Sequence, residues 1–327
     1  MMNRNVFLRT VMAAAMIALL AGSVTVGNAQ KFPNHPMTMI VAWGAGGGTD
    51  AVARTIAMLM EKDLGQPVNV VNRVGGSGAV GHTAAATAKA DGYTMALTTG
   101  EITMMHWMGL AQVNYKDMKG VTLVNFDPAS VTVRMDAPWK TLKELEDYVR
   151  ANPGKLKASG TGKGGSWDLA RAGWLKMTGI PQEAMPWVPS NGAAPALQEL
   201  VAGGIDVVTC SLPEARAMIE AKKARPLVVM GDNRSDIFPD TPTLKEMGKN
   251  WVMGAWRGVT VPKWTPAEVV AVLEKSVEKA YNNPQYKEFM KKNGYGMVFK
   301  VSGDFDKFMA SEDESMGKLM KEMGIAK

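Results

Sequence analysis

The sequence has a single cysteine, Cys210, in 327 residues, so no disulfide can form within the chain. Its longest apolar run, residues 11–20, falls short of the about 20 residues that a membrane-spanning helix needs. The formal net charge is only +6, and no cluster of lysine and arginine with interleaved aromatic residues marks a nucleic-acid site. Because no disulfide can form, the hydrophobic core must stabilise the fold by itself. The mild positive charge favours a small anionic ligand or no particular partner.

The first residues predict export through a cleavable signal peptide. Arg4 and Arg9 form the basic start, residues 11–20 the apolar centre, and small residues ending at Ala29 the cleavage site. We expect a signal peptide over residues 1–29 and a periplasmic location for the mature chain. Roughly 300 residues then remain, a length that suits two domains.

After this leader, apolar runs alternate with helical patterns in the order βαβαβ. Thr49 or Asp50 is predicted to cap the first helix, which runs to Leu64 and ends at Gly65. This order predicts a mostly parallel sheet covered by helices on both faces. The predicted strands are residues 37–43, 68–72 and 93–99, and the second helix lies within residues 78–90.

A second α/β unit follows in the chain. Thr141 begins a predicted capping box, and Thr265 begins another that has Pro266 in its first turn. The predicted helices are residues 141–152, 168–179, 194–204 and 213–224. The predicted strands are residues 156–159, 184–189, 205–210, 226–232 and 256–262.

We therefore expect an α/β fold with two domains around a hinged cleft. The first domain takes residues 30–130 and 256–327, and the second takes residues 131–255. Strand segments at residues 131–135 and 251–260 connect the two. No low-complexity linker separates them, as is typical of domains that are joined by strands.

A glycine-rich turn, GAGGGTD at residues 44–50, precedes the first helix. It lacks the lysine of a P-loop, and Thr49 stands where the dinucleotide fingerprint has its third glycine. Two interpretations remain: an anion site at the helix N-terminus, or a tight turn without a ligand. Asp50 is expected to cap the helix or brace the turn, because its carboxylate would repel a bound anion.

A second glycine-rich turn, SGTGKGGSWD at residues 159–168, leads into another predicted helix. Lys163 adds a positive charge there, and Ser159, Thr161 and Ser166 add hydroxyl donors. One anion-binding turn in each unit suggests a ligand whose anionic group is held from both sides.

Catalytic and metal-binding patterns are missing. The three histidines lack metal-ligand spacing, and residues 75–79 fail the nucleophile-elbow pattern at its last position. Asp168 and Asp206 have no paired carboxylate and are expected to cap or brace backbone. We therefore expect no catalytic residue, no metal and no cofactor.

The mature chain, nearly end to end, resembles the periplasmic solute-binding proteins of tripartite tricarboxylate transporters, also called Bug-type receptors. The resemblance rests on the order and spacing of FPNHPMTMIVAWGAGGGTDAVAR, GQPVNVVNRVGGSGAVG, ADGYTMALTT, APWKTLKEL, NGAAPALQELVAGGIDV, FPDTPTLKEMG and WRGVTVPKWTPAEVV. It implies a two-domain, type II Venus-flytrap fold with a ligand cleft between the domains and no enzymatic activity. We read the chain as a receptor that captures a small carboxylate and delivers it to the membrane permease subunits of a secondary transporter. We also expect a monomer and no nucleic-acid partner.

In that family the two glycine turns grip a ligand carboxylate. Lys163 and Asp168 replace the small polar residues and histidine that family members more often have, and Arg134 replaces an uncharged residue. Lys163 and Arg134 either contact the ligand or are solvated surface charges. Carried onto this sequence, the resemblance implies the ligand-binding residues Trp43, Ala45, Gly46, Gly47, Gly48, Thr49, Asp50, Thr98, Thr99, Ser159, Thr161, Lys163, Gly165, Ser166, Asn191, Ala193, Asp206 and Cys210.

The carboxylate itself is not named by the sequence. A dicarboxylate is expected, and Trp43, Trp107 and Trp187 would suit an apolar or aromatic spacer or else belong to the core. Two alternatives stay open. One is a receptor for a signalling pathway, and the other is an exported enzyme acting on a phosphate-bearing substrate, for which no base or metal ligands are visible.

Overall fold

The computed structural model describes residues 32–327. The predicted signal peptide and its cleavage site after Ala29 lie outside the described residues. His35–Lys327 form one compact unit. Within the described part of the chain, no helix is long and apolar enough to cross a membrane.

The fold begins with the parallel βαβαβ unit that the sequence predicts. The first strand pairs in parallel with the second on one side and with the third on the other. Gly65 has a φ of 68° and ends the first helix in the left-handed region, which glycine adopts without a steric cost. The elements are β1 (Met37–Val41), α1 (Gly48–Leu64), β2 (Val68–Asn72), α2 (Ala79–Ala86) and β3 (Thr94–Thr99).

The second α/β unit is also present, and a helical segment follows it at the C-terminal end. The remaining strands are β4 (Met118–Arg134), β5 (Ala158–Ser159), β6 (Val207–Ser211), β7 (Ala224–Val229), β8 (Gly254–Pro262) and β9 (Met297–Val301). The remaining helices are α3 (Leu142–Ala151), α4 (Ser166–Met177), α5 (Ala193–Ala202), α6 (Leu212–Glu220), α7 (Ala267–Asn282), α8 (Pro284–Asn293) and α9 (Ser302–Glu322).

The strands of the sheet lie side by side in the order β2-β1-β3-β8-β4-β6-β5. The long strand β4 takes part in both lobes. Up to Pro128 it pairs with β8 and β9, and from Ala129 it pairs with β6 and β7. We call residues 35–128 and 254–327 the first lobe, and residues 129–253 the second lobe. All contacts described below lie within the compact unit.

The chain passes from one lobe to the other twice, and backbone hydrogen bonds join the segments near these two passages. The Ala129 amide donates to the Met253 carbonyl (2.8 Å), the Met230 amide to the Ala129 carbonyl (2.7 Å) and the Met253 amide to the Met230 carbonyl (3.1 Å). One passage, between residues 253 and 254, lies within the predicted connecting segment 251–260. The other, between residues 128 and 129, lies just before the predicted connecting segment 131–135. The domain boundaries stay a prediction.

The predicted cap of α1 is wrong. Gly47 is the N-cap, with φ −80° and ψ 173°, and α1 begins at Gly48. Thr49 and Asp50 therefore lie inside the first turn of the helix. The extended backbone at Gly47 carries the chain into the helix without a side-chain cap, which the preference of N-caps for polar residues does not predict.

The predicted capping box at α7 is also wrong. The Thr265 hydroxyl donates backwards to the Pro262 carbonyl (2.8 Å), so Pro266 becomes the N-cap without a side-chain hydrogen bond. At α3 half of the predicted capping box forms: the Thr141 side chain accepts from the Glu144 amide (3.2 Å), but Glu144 accepts from the Lys140 amide (2.6 Å) instead of the Thr141 amide.

The predicted strand at residues 184–189 is wrong as well. Only Trp187 forms a bridge, to Ala158. Pro186 and Pro189 have no amide hydrogen, so this segment cannot form a regular hydrogen-bonded ladder.

Candidate functional site

The first glycine turn is held in shape by Asp50. Gly46 has a φ of 79°, a left-handed conformation that favours glycine. The Gly46 amide (3.0 Å) and Arg54 Nε (3.0 Å) donate to Asp50 Oδ2, and Asn72 donates to Oδ1 (2.9 Å). Burial alone would raise the pKa of Asp50, but these hydrogen bonds outweigh it and lower the pKa. Asp50 thus braces the turn, one of its two expected roles.

The second glycine turn repeats this arrangement. Gly164 has a φ of 72°, and its amide donates to Asp168 Oδ2 (2.9 Å). Arg171 donates to Asp168 Oδ1 through Nε (3.0 Å) and Nη2 (2.6 Å). The N-cap Gly165, with φ −76° and ψ 178°, nearly matches the N-cap of α1. Both turns share the spacing Gly-Gly-x-x-Asp, and the expected bracing role of Asp168 is confirmed.

A glutamate of the first lobe occupies the N-terminus of α4 in the second lobe. Glu101 follows β3 and is 2% exposed. Its Oε1 accepts from the Ser166 amide (3.0 Å) and hydroxyl (2.9 Å), and its Oε2 accepts from the Thr99 hydroxyl (2.5 Å). Because a helix N-terminus attracts negative charge, the Glu101 carboxylate takes the anion position that the second turn offers.

A glutamate of the second lobe makes the reciprocal contact with α1. Glu214 Oε1 accepts from the Gly48 amide (3.3 Å), and Oε2 accepts from the amide (3.3 Å) and hydroxyl (3.0 Å) of Ser211, the N-cap of its own helix α6. Burial raises the pKa of Glu214, although Arg257 opposes the shift. Each glycine turn therefore receives a glutamate from the opposite lobe.

Arg257 of β8 is the cation at this junction, and it is 1% exposed. Its Nε donates to the Thr49 hydroxyl (2.9 Å), and its Nη2 donates to Glu214 Oε1 (3.3 Å). Nη1 donates to Asn125 (2.5 Å) and forms an ion pair with Asp127. One guanidinium thus faces two buried carboxylates, one from each lobe.

Buried His82 supports the end of β3. Its Nδ1 lies 2.8 Å from the Gly78 carbonyl, which can only accept, so Nδ1 carries the proton. Nε2 accepts from the Thr99 amide (3.3 Å), and Trp43 Nε1 donates to the Thr99 hydroxyl (3.1 Å). Burial lowers the pKa of His82, and the Glu101 carboxylate does not reverse this. A neutral imidazole therefore holds Thr99 in place.

A cavity lies between the lobes, next to the N-termini of α1, α4, α5 and α6. Its interior volume is ≈ 20 Å³, about the space of one water molecule, and the empty space reaches ≈ 370 Å³ when the open solvent at its mouth is included. In the part of the chain that the structure describes, the Thr161 hydroxyl has no hydrogen-bond partner, although the residue is only 5% exposed. The lining residues are Trp43, Gly44, Gly47, Gly48, Thr49, Thr99, Glu101, Thr161, Trp167, Gly192, Ala193, Glu214, Ala255 and Arg257.

Comparison with known proteins decides the family. Residues 52–325 match the family described as "Tripartite tricarboxylate transporter family receptor". The chain belongs to this family.

Relatives of this receptor family agree in sequence and in fold. A protein of Pseudomonas sp. strain P51, named "UPF0065 protein in tcbD-tcbE intergenic region", is 31% identical over 97% of this chain and 95% of its own. The periplasmic binding protein BugD is 28% identical with a TM-score of 0.84, over 90% of this chain and 99% of its own. MatC from Rhodopseudomonas palustris with bound malate is 27% identical with a TM-score of 0.83, over 88% and 99%. The predicted α/β fold of the periplasmic binding proteins is thereby confirmed.

The predicted binding residues of this receptor divide into two groups. Those that line the cavity are Trp43, Gly47, Gly48, Thr49, Thr99, Thr161 and Ala193. Those that lie outside its lining are Ala45, Gly46, Asp50, Thr98, Ser159, Lys163, Gly165, Ser166, Asn191, Asp206 and Cys210. Some of the second group hold the walls: the Asn191 carbonyl, for example, accepts from the Gly44 amide (2.8 Å) across the lobes.

The two unusual cations of this receptor lie away from the cavity. Lys163 is exposed, and Arg134 forms an ion pair with Asp136 (2.5 Å) at the end of β4. Asp206 Oδ2 accepts from the Lys157 amide (2.8 Å), so it braces backbone as expected.

Of the three tryptophans considered as a spacer site, only Trp43 lines the cavity. Trp187 donates to the Thr161 carbonyl (3.2 Å). Trp107 lies 4.5 Å from the Lys321 ammonium, measured to the ring centroid. In the described residues, no group of three or more His, Cys, Asp or Glu side chains could hold a metal ion.

Sequence reasoning missed the charged residues of the cavity, Glu101, Glu214 and Arg257. Signals for them were present. Ser211 and Glu214 have capping-box spacing after a strand, and Arg257 interrupts an otherwise apolar strand, where a buried charge needs a partner. Trp167 and Ala255 were missed too, and no local pattern marks them.

Proposed function

We propose that this chain is a periplasmic receptor that binds a small carboxylate in the cavity and delivers it to the permease subunits of a secondary transporter. The observation that carries the proposal is a buried hydroxyl without a partner between the lobes. Within residues 32–327 the Thr161 hydroxyl has no hydrogen-bond partner, and it lines the same cavity as Gly192 and Ala193 at the start of α5. A helix N-terminus together with a hydroxyl donor suits a carboxylate. MatC, which has malate bound, supports this assignment.

The proposal has further parts. The receptor acts as a monomer without enzymatic activity, reaches the periplasm through the predicted signal peptide, and has the domains expected from the sequence. A ligand that contacts both lobes stabilises the closed state, because its contacts with both are made only on closure. The dicarboxylate expected in the sequence analysis is among the ligands to be tested.

A ligand screen tests the proposal. The freshly purified mature protein is studied by native mass spectrometry and then by thermal shift with mono-, di- and tricarboxylates and with nucleotides. At least one carboxylate should raise the melting temperature by mass action, and none should be turned over. A shift with nucleotides and with no carboxylate would overturn the proposal.

Gly47→Val should weaken carboxylate binding about ten- to a hundredfold, because the added side chain enters the cavity and keeps the ligand from about one charge-assisted hydrogen bond. Gly47 lines the cavity, and a β-carbon there meets only the Gly44 carbonyl at 3.4 Å, an ordinary contact. Titration calorimetry measures the effect. The control is Lys163→Met, which should leave affinity unchanged because Lys163 is exposed and outside the cavity. Wild-type affinity in Gly47→Val would mean that the turn does not approach the ligand.

A further inference from the structure

We infer that the cavity accepts a ligand with one carboxylate and no second anionic group, because the protein supplies the other anions itself. Glu101 and Glu214 occupy the N-termini of α4 and α1, where a diacid would place its charges. This inference rests on the proposed function and narrows its ligand class.

The helix N-termini at the cavity have different occupants. The Ser166 amide at α4 is bonded to Glu101, and the Gly48 amide at α1 is bonded to Glu214, which also caps α6. All three helices have a glycine N-cap without a side-chain cap hydrogen bond, but at the start of α5 no carboxylate within residues 32–327 accepts from the first backbone amides. Within residues 32–327, α5 is thus the helix start at this cavity that no carboxylate of the protein occupies.

Thr161 lines the same cavity and gives an independent observation. Within residues 32–327 its hydroxyl is buried without a hydrogen-bond partner, and its carbonyl accepts from the Ser190 amide (2.9 Å). Ser190 lies just before the α5 N-cap, so this bond ties Thr161 to the start of the helix. A buried polar group without a partner costs free energy. One ligand carboxylate in this cavity would accept from the Thr161 hydroxyl and complement the dipole of α5.

Among residues 32–327, a second ligand anion would find no free cation at the cavity. In that part of the chain Arg257 is the only cationic residue that lines the cavity, and it already faces Asp127 and Glu214. The remaining lining charge is the carboxylate of Glu101. Like charges at short range repel strongly where water is excluded. The rest of the ligand must therefore be neutral, or carry donors that face these glutamates.

Matched ligands test the inference in the wild-type mature protein. Titration calorimetry compares succinate with butyrate and with monomethyl succinate, and malate with 2-hydroxybutyrate. Each monoacid should bind at least about tenfold more tightly than its diacid, about 1.4 kcal/mol. A diacid that binds as tightly as its matched monoacid overturns the inference and leaves the proposed function intact. Failure of every carboxylate overturns the proposed function, and the inference with it.

Charge-removing variants test the assigned cause. Glu101→Gln and Glu214→Gln keep side-chain shape, so each should shift the monoacid-to-diacid affinity ratio about tenfold towards the diacid. Glu288→Gln, an exposed glutamate of α8, removes the same charge elsewhere and should leave the ratio unchanged. An unchanged ratio in both folded cavity variants overturns the inference. If either variant fails to fold, the comparison of matched monoacids and diacids in the wild-type protein tests the inference by itself.

Discussion

Replacing Arg257 with methionine should lower the free energy of unfolding by about 3–5 kcal/mol, the cost of removing one partner from a buried ion pair. The Arg257 side chain is 2% exposed, and its partners Asp127 and Glu214 are 1% and 6% exposed. Methionine keeps most of the apolar stem, so the loss would come from two carboxylates buried without a counter-charge. Urea denaturation followed by circular dichroism measures it.

Arg134→Met is the matched control for this prediction. Arg134 also pairs with an aspartate, but its side chain is 40% exposed, and such pairs contribute about 0–1 kcal/mol. Equal losses in the two variants would contradict the assigned role of Arg257. Adding Asp127→Asn to Arg257→Met should restore part of the stability, because one of the unpaired charges is removed.

The deficit of Arg257→Met should shrink as the pH falls. Burial already raises the pKa of Glu214, and losing Arg257 raises it further. A group whose folded pKa is raised favours the folded state fully below its unfolded pKa, about 4.3 for glutamate, and loses that contribution as the pH rises through the folded pKa. A deficit that grows towards acid pH would contradict this assignment.

Gly162→Val should reduce ligand affinity about a hundredfold or more by preventing closure of the lobes. A β-carbon at Gly162, in the second lobe, would lie 2.1 Å from Ser77 Oγ and 2.5 Å from Ser77 Cα, in the first lobe. The Cα atom belongs to backbone and cannot rotate away, so the lobes must separate. Apparent affinity then falls with the fraction of closed protein. Calorimetry measures affinity, and small-angle scattering should show a larger radius of gyration than for the wild type.

Gly303→Val is the control for steric bulk. Gly303 lies in the first turn of α9, and nothing stands within 4 Å of a β-carbon built there, so its affinity and radius should match the wild type. Wild-type affinity in Gly162→Val would show that the contact between Ser77 and Gly162 does not govern closure.

Sequence patterns predicted the parts of the fold that depend on neighbours in the chain. The predicted strand at residues 68–72 matches β2 at both ends, because a glycine C-cap and a proline precede it. The start of α1 was misplaced because the backbone at Gly47 makes the cap without a polar side chain. The strand predicted at residues 184–189 was apolar enough, but its prolines cannot donate to a ladder.

Cavity residues were predicted only where they belong to a local sequence motif. Gly47 and Gly48 were identified from the first glycine-rich turn, and Thr161 from the second glycine-rich turn. The cross-lobe contacts were out of reach, since Glu101 lies 65 positions from Ser166 and Glu214 lies 166 positions from Gly48. Such pairings depend on how the lobes meet, which no spacing within either turn encodes.

In the repeated Gly-Gly-x-x-Asp turn, the residues that shape the backbone differ from the residues that face the ligand cavity. Its two glycines and its aspartate hold the same backbone shape in both lobes, while the positions between them differ: Gly48 and Thr49 in one, Ser166 and Trp167 in the other. Thr49 and Trp167 line the cavity. An engineer could therefore randomise Trp167 to alter which solute is recognised, while the turn keeps its geometry. At Thr49 the choice is limited to hydroxyl side chains, because the hydroxyl accepts from Arg257 Nε. At Gly48 the limit is set instead by Arg257 and Glu214, which would lie within 3 Å of an added β-carbon.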